Sequence, residues 1–213
     1  MRHQLPLLML GGALSCGAGS IASAPLPSGG HHVLFIGNSL TYVNDLPATL
    51  EQLARTAHDT IRVRMVALPN FALIDHVNGG SNAVDAIRSE RWDYVVLQQG
   101  PSAQQVSRDT RVLATQRFDP YIHAAGAKSA QFMTWPASDR ITAFDSVYAS
   151  TQAAARAVGG IIFPVGRAWV AAWTVDPTLA AVNGHELAVP ATSVRVLQQA
   201  AQDTARGEQR GEQ

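Results

Sequence analysis

Short apolar runs alternate along the chain with longer stretches in which apolar residues recur at helical spacing. Five of the apolar runs have the length of strands, and they lie at 31–38, 61–68, 93–99, 129–135 and 161–165. The helical stretches between and after them lie at 46–56, 82–89, 107–125, 144–158, 168–173 and 191–206. This alternation predicts an α/β fold: a single three-layer α/β/α sandwich around a flavodoxin-like parallel sheet of about five strands, with right-handed crossovers.

The segment before the first strand has the pattern of a secretory leader. Arg2 and His3 precede the apolar run LPLLMLGGAL, which is too short to span a bilayer, and small residues follow it. Ala13-Leu14-Ser15 departs from the Leu-led sequence expected before a lipidated cysteine, which argues against a lipid anchor at Cys16. We therefore expect an exported protein, periplasmic or extracellular, that has no membrane attachment once the leader is removed. The expected organisation is a signal peptide at 1–24, a flexible lead-in at 25–32, one domain at 33–206 and a frayed tail at 207–213.

Composition narrows the functional classes further. A length of 213 residues with 46% hydrophobic content suits one domain with a sizeable core. Lys plus Arg and Asp plus Glu both total 16, so no basic footprint indicates nucleic acid as a partner. Cys16 is the single cysteine, and no His, Cys or carboxylate pair has metal-ligand spacing. No glycine-rich nucleotide motif is present either, so we expect neither a metal nor a cofactor. Composition leaves the oligomeric state open.

The stretch VLFIGNSLT at 33–41 carries the clearest chemical signal. A buried strand runs into Gly37-Asn38-Ser39-Leu40, and Gly37 is expected to permit a sharp exit from the strand. Ser39 then lies at the carboxyl edge of the sheet, where open α/β folds bind their ligands. Its hydroxyl is a candidate nucleophile, and the alternative is a serine that only caps the next helix.

GNSLT resembles the first signature block of the SGNH (GDSL-like) hydrolases, with Asn38 where Asp is the commoner residue. The similarity continues over about residues 33–176 and is typical of one secreted bacterial subgroup of that family. The further segments that carry it are TYVNDLP at 41–47, PNFALIDH at 69–76, WDYVVLQQGPS at 92–102 and FPVGRAW at 163–169. The resemblance implies a serine esterase or acyl-hydrolase that acts on a small-molecule ester, such as an acyl or carbohydrate ester.

The resemblance also implies donors that would hold the oxyanion. They would be the N–H of Ser39, a second-block residue that is Asn70 here instead of Gly, and a third-block G-x-N that falls on Gly100-Pro101-Ser102. Gln98 and Gln99 supply amides at the same strand end, although they could instead satisfy loop backbone groups. The residues expected to hold the oxyanion or to bind substrate are Asn38, Asn70, Gln98, Gln99 and Ser102.

The family's general base comes from a late D-x-x-H block, which this chain lacks in intact form. His185 is the only late histidine, and Val182 stands where the Asp would be. With a loop shorter by one residue, His185 becomes the base and Asn183 replaces Asp; an ungapped alignment instead puts Glu186 at the histidine position. In a third interpretation the chain passes from DPTLAA directly into the family's tail, and the block is missing.

Two hypotheses of function follow. The first is an exported serine hydrolase in which Ser39 attacks the ester and His185 accepts the proton. The second is a catalytically silent SGNH-like protein that binds a ligand or a partner without turnover. His76, just after the second block, is either a substitute base or substrate contact, or a residue hydrogen-bonded to Asp75 at a helix start.

Overall fold

The computed structural model describes residues 30–43 and 45–175. The expected signal peptide at 1–24, His185 and the helix expected at 191–206 lie outside the described residues. The strands are β1 (Gly30–Gly37), β2 (Thr60–Ala67), β3 (Tyr94–Gln98), β4 (Lys128–Phe132) and β5 (Ile161–Phe163). The α-helices are α1 (Ser39–Tyr42), α2 (Leu46–Thr56), α3 (Leu73–Asp75), α4 (Ala83–Ser89), α5 (Gln105–Ala124), α6 (Phe144–Arg156) and α7 (Val165–Val175). A π-turn at His76–Gly80 follows α3, and a 3-10 helix at Ser138–Ala143 precedes α6.

The strands form one parallel sheet in the order β2-β1-β3-β4-β5, which confirms the predicted α/β fold. Side chains of β1 and β3 alternate between two apolar layers, as strands buried on both faces require. One layer joins Leu34 and Leu97 to the helical residue Phe118 of α5, and the other joins Phe35 and Val96 to partly buried residues of α2. Helices therefore cover both faces of the sheet.

The first strand begins earlier than expected. Gly30 already pairs with Thr60 of β2, and the His32 N–H donates to the Asp93 carboxylate over 2.7 Å. The prediction of a flexible lead-in at 25–32 is therefore wrong for residues 30–32, because the ladder with β2 holds them in the sheet.

The other predicted elements differ from the structure mainly at their ends. The helix expected at 46–56 is α2, with Asp45 at its N-cap and Pro47 in its first turn. The fourth strand, expected to reach residue 135, ends at Phe132. Its neighbour β5 ends at Phe163, and the expected strand residues Pro164 and Val165 lie outside it, with Val165 beginning α7.

A buried arginine lies between α5, α6 and β4. Arg111 is 0% exposed and donates to Gln131 Oε1, Thr151 Oγ1 and the Phe132 carbonyl, each over 3.2 Å. Burial lowers the pKa of its guanidinium to about 10. No ion pair within the described ranges involves it, so hydrogen bonds alone satisfy this cation.

None of the helices in the described part of the chain is long and apolar enough to cross a membrane.

Candidate active site

Ser39 lies at the point where the strand order changes direction. The chain leaves β1 towards β2 on one side, while β3 lies on the other side, and such a point forms the ligand crevice of open α/β sheets. Ser39 is the first residue of α1 and is half-buried. Neither its hydroxyl nor its N–H forms a hydrogen bond with any other described residue. The structure therefore leaves both groups available at this edge of the sheet.

The helix cap at this turn is supplied by Asn38 instead of Ser39. Asn38 has extended backbone angles, and its Oδ1 accepts from the Leu40 N–H over 3.2 Å. Its Nδ2 donates to the Phe71 carbonyl over 3.0 Å. Both ends of the Asn38 side chain are thus engaged: Oδ1 caps α1, and Nδ2 joins the turn to the loop after β2.

Gln98 packs beneath the same turn and is 1% exposed. Its Oε1 accepts from the Asn38 N–H and from Thr41 Oγ1, both over 2.9 Å. Its Nε2 is buried and has no partner in the described part of the chain. Thr41 was not predicted as a site residue. Its only signal in the sequence is that it is polar and lies three positions after Asn38 in an otherwise apolar junction.

Gly37 is needed for a different reason from the one expected. Its φ is not positive, so backbone freedom is not the requirement. A Cβ at this position would lie 2.5 Å from Thr41 Oγ1 and closer still to Gln98 Oε1. The glycine therefore allows the buried amide of Gln98 to reach the turn.

Gln99 and Ser102 bond to each other and to loop backbone. Gln99 Oε1 accepts from the Leu73 N–H over 3.0 Å, and its Nε2 donates to Ser102 Oγ over 2.8 Å. The Ser102 hydroxyl donates its single proton to the Gly100 carbonyl over 3.0 Å. These bonds use the hydroxyl proton of Ser102 and one proton of the Gln99 amide, so they count against the role of oxyanion donor expected for each side chain.

Asn70 stands where the resemblance expects a glycine. Its φ is +62°, the left-handed region that Gly adopts freely and that Asn tolerates better than most residues. The residue is exposed, and its N–H forms no hydrogen bond with the other described residues. The substitution thus preserves the backbone conformation and leaves the amide available.

His76 is fully buried and uses both ring nitrogens. Its Nε2 lies 2.8 Å from the Gly37 carbonyl oxygen, and its Nδ1 lies 2.7 Å from Ser81 Oγ. Since a carbonyl only accepts, Nε2 carries the proton and the neutral Nδ1 accepts from Ser81. Burial is the main cause that lowers the pKa of His76, against a smaller opposing effect of the Gly37 bond. The expected bond to Asp75 is absent, since Asp75 instead accepts from the Ala72 N–H, and the arrangement leaves no nitrogen of His76 free to act as a base.

Further along this edge, three indole rings lie in a row. Trp135, after β4, is 5.2 Å from Trp169 between ring centroids, and Trp169 is 6.1 Å from Trp173. Residues 30–43 and 45–175 contain no group of three or more His, Cys, Asp or Glu that could hold a metal ion.

No family model matches the chain, and no curated protein matches it either. The architecture, with its serine-bearing turn after β1, defines a structural class, the three-layer α/β/α sandwich with a parallel sheet. Within that class the fold is that of the SGNH hydrolases, as solved structures show.

The similar structures share little sequence with this chain. A proposed SGNH hydrolase from Slackia heliotrinireducens is 21% identical with a TM-score of 0.58, and the match covers 80% of this chain and 98% of that one. A DUF4886 family protein from Bacteroides uniformis is 17% identical with a TM-score of 0.63, and the match covers 79% and 80%. A catalytic mutant of Axe2, an acetylxylan esterase from Geobacillus stearothermophilus, is 14% identical with a TM-score of 0.56, and the match covers 80% and 91%. At these identities the likeness establishes the fold.

Proposed function

We propose that the protein is an exported serine hydrolase that cleaves ester bonds with Ser39 as its nucleophile. One observation carries the proposal: the Ser39 hydroxyl and its own N–H lie together at the sheet's switch point, without partners among the described residues. The leader-like pattern at 1–24 supports export.

The reaction would proceed in two acyl-transfer steps. Ser39 Oγ attacks the ester carbonyl carbon and passes its proton to a base, for which the sequence offers His185. The N–H groups of Ser39 and Asn70 hold the oxyanion, and the alcohol leaves with the proton that the base returns. Water then attacks the acyl-serine, releases the carboxylic acid and restores the hydroxyl.

The substrate class that we favour is a small acyl or carbohydrate ester. One protein of the same fold is an acetylxylan esterase, which supports a carbohydrate ester for this chain too. The half-buried indole rings of Trp135, Trp169 and Trp173, which follow β4 and β5 in the chain, are of a kind that suits an apolar or sugar-like group.

A specific observation favours the second candidate, a catalytically silent protein that binds a ligand or partner. No described side chain accepts a hydrogen bond from Ser39 Oγ, and both nitrogens of His76 are engaged elsewhere. If His185 does not act as the base, the site retains only the roughly 10³–10⁴-fold rate enhancement that binding and an oxyanion hole provide.

The test is hydrolysis of p-nitrophenyl acetate by the wild type, Ser39→Ala and His185→Ala, together with labelling by a fluorophosphonate probe. An active hydrolase loses turnover and labelling in Ser39→Ala and loses turnover in His185→Ala. Turnover that is abolished in Ser39→Ala but unchanged in His185→Ala would refute the base assignment. Equal background rates for all three proteins, with no labelling, would refute the hydrolase and favour the silent protein.

A further inference from the structure

We propose that Gln98 and Gln99 act as positioning residues, which use their side-chain amides to hold the loops of the site in place, and that neither donates to the oxyanion. They are consecutive residues at the carboxyl end of β3, the strand next to β1 in the middle of the sheet. The kinetic part of this inference rests on the proposed function, whereas its structural part does not.

Gln98 holds the nucleophile turn. The Asn38 N–H can only donate, so the amide oxygen of Gln98 must face it, and the same oxygen accepts from Thr41. These two bonds bracket Ser39 on both sides along the chain. A Cβ added at Gly37 would collide with the same oxygen, so the turn can lie this close to Gln98 only because residue 37 is a glycine. The amide oxygen thus sets where the Ser39 hydroxyl lies.

Gln99 holds the next two loops. Its oxygen faces the Leu73 N–H, three residues after Asn70, and its nitrogen faces Ser102. Its own carbonyl also accepts from Thr134 Oγ1 over 3.4 Å, in the loop after β4. The side chain therefore anchors the loop that presents the Asn70 N–H.

The burial and the existing bonds of the two amide nitrogens argue against donation to the oxyanion. A glutamine can donate only through Nε2, and Gln98 Nε2 is inaccessible to solvent in a side chain that is 1% exposed. Gln99 is 6% exposed, and one of its two Nε2 protons already goes to Ser102. Substrate at the sheet edge would have to displace the loops themselves to reach either nitrogen. Holding the loops is the role that the existing contacts support.

The variants separate the amide oxygen from the amide nitrogen. Gln98→Glu keeps an acceptor for Asn38 and Thr41, whereas Gln98→Met keeps the length of the side chain and removes the acceptor. Since a misplacement of about 1 Å can cost on the order of 10²-fold in rate, we expect a fall of that order in kcat for Gln98→Met, with little change in KM. Gln98→Glu is expected to recover most of that loss.

Amide hydrogen exchange provides the readout that does not need activity. Gln98→Met is expected to lose protection at the Asn38 amide and to keep it at Leu73, and Gln99→Met is expected to do the reverse. Gln131→Met, which removes another buried glutamine on β4, is the control: it should lower stability while leaving kcat and both amides unchanged.

Three outcomes would overturn the inference. The first is unchanged protection of Asn38 in Gln98→Met. The second is an equal loss of kcat in Gln98→Glu and Gln98→Met, which would make Nε2 the working group. The third is the same kinetic loss in Gln131→Met, which would attribute the effect to general destabilisation. If the wild type has no turnover that depends on Ser39, the proposed function fails, and the exchange measurements still decide the inference.

Discussion

Adding one methyl group at Gly37 tests how tightly the nucleophile turn is packed. In Gly37→Ala the new Cβ would lie 2.5 Å from Thr41 Oγ1 and closer still to Gln98 Oε1. Both neighbours are buried and hydrogen-bonded to each other, so neither can move without loss. Gly100→Ala is the matched control, because its Cβ meets nothing within 4 Å and its φ is not positive.

The magnitude follows from three contributions to the free energy of unfolding. Overpacking costs about 1–3 kcal/mol, and a disrupted bond at Gln98 costs about 0.5–1.5 kcal/mol more. The lower entropy of the unfolded chain returns about 0.4–1 kcal/mol. The net expectation is that Gly37→Ala lowers the free energy of unfolding by about 0.5–4 kcal/mol. Gly100→Ala has only the last contribution and should be neutral or slightly stabilised.

Urea unfolding of the three proteins measures the difference. With an m-value of about 2 kcal/mol per molar, a loss of about 2 kcal/mol moves the midpoint by about 1 M. We expect a lower midpoint for Gly37→Ala and an unchanged or higher one for Gly100→Ala. Equal midpoints for the two variants would refute the packing argument, since both remove one glycine and differ only in what the methyl group meets.

Three further substitutions test other buried contacts. Arg111→Leu should lower the free energy of unfolding by about 2–4 kcal/mol, because it leaves two buried acceptors without donors, and an unchanged urea midpoint would contradict this. Asn38→Asp restores the residue that is commoner in the family, but it should lower the free energy of unfolding by about 1–3 kcal/mol in the same assay, because a carboxylate cannot donate to the Phe71 carbonyl. A higher free energy of unfolding would show that a stronger helix cap outweighs the lost bond. Burial holds the pKa of His76 below 6.5, so the unfolded chain binds a proton before the folded one does. Stability should therefore fall as the pH drops through 6.5, and His76→Phe should lose that part of the pH dependence in urea titrations; an identical pH profile for both proteins would contradict the assignment.

Local patterns were sufficient for the elements whose signals lie in adjacent residues. The helical spacing of apolar residues at 46–56 predicted α2 with the bounds that the structure has. The apolar runs likewise predicted the five strands of the described residues. The central strands β1 and β3 are mostly apolar because both of their faces are buried, whereas the edge strand β2 alternates with Arg62 and Arg64. The strand ends were predicted less well. Where β1 begins, at Gly30, and where β4 ends, at Phe132, depends on hydrogen bonding to the neighbouring strand, which the local sequence does not show.

The candidate site was harder to predict because its contacts join distant parts of the chain. Asn38 and Gln98 are 60 residues apart, and His76 reaches Gly37 across 39. The resemblance aligned Asn70 with the glycine of the second block, but only the φ of +62° explains why Asn can stand at that position. The buried role of His76 was missed because the sequence does not show which carbonyl its Nε2 meets.

Polar residues at the carboxyl end of a central parallel strand are open to two interpretations, and the partners of their amide oxygens together with the burial of their amide nitrogens separate them. A side chain that donates to a reacting group must keep a proton free and pointed at the crevice. Gln98 and Gln99 instead use their oxygens on backbone N–H groups of loops that carry the Ser39 and Asn70 amides. Because a loop amide is placed only as well as its supporting bonds place it, these glutamines affect oxyanion binding without touching the oxyanion. A substitution that preserves their oxygens should therefore matter less than one that preserves their volume.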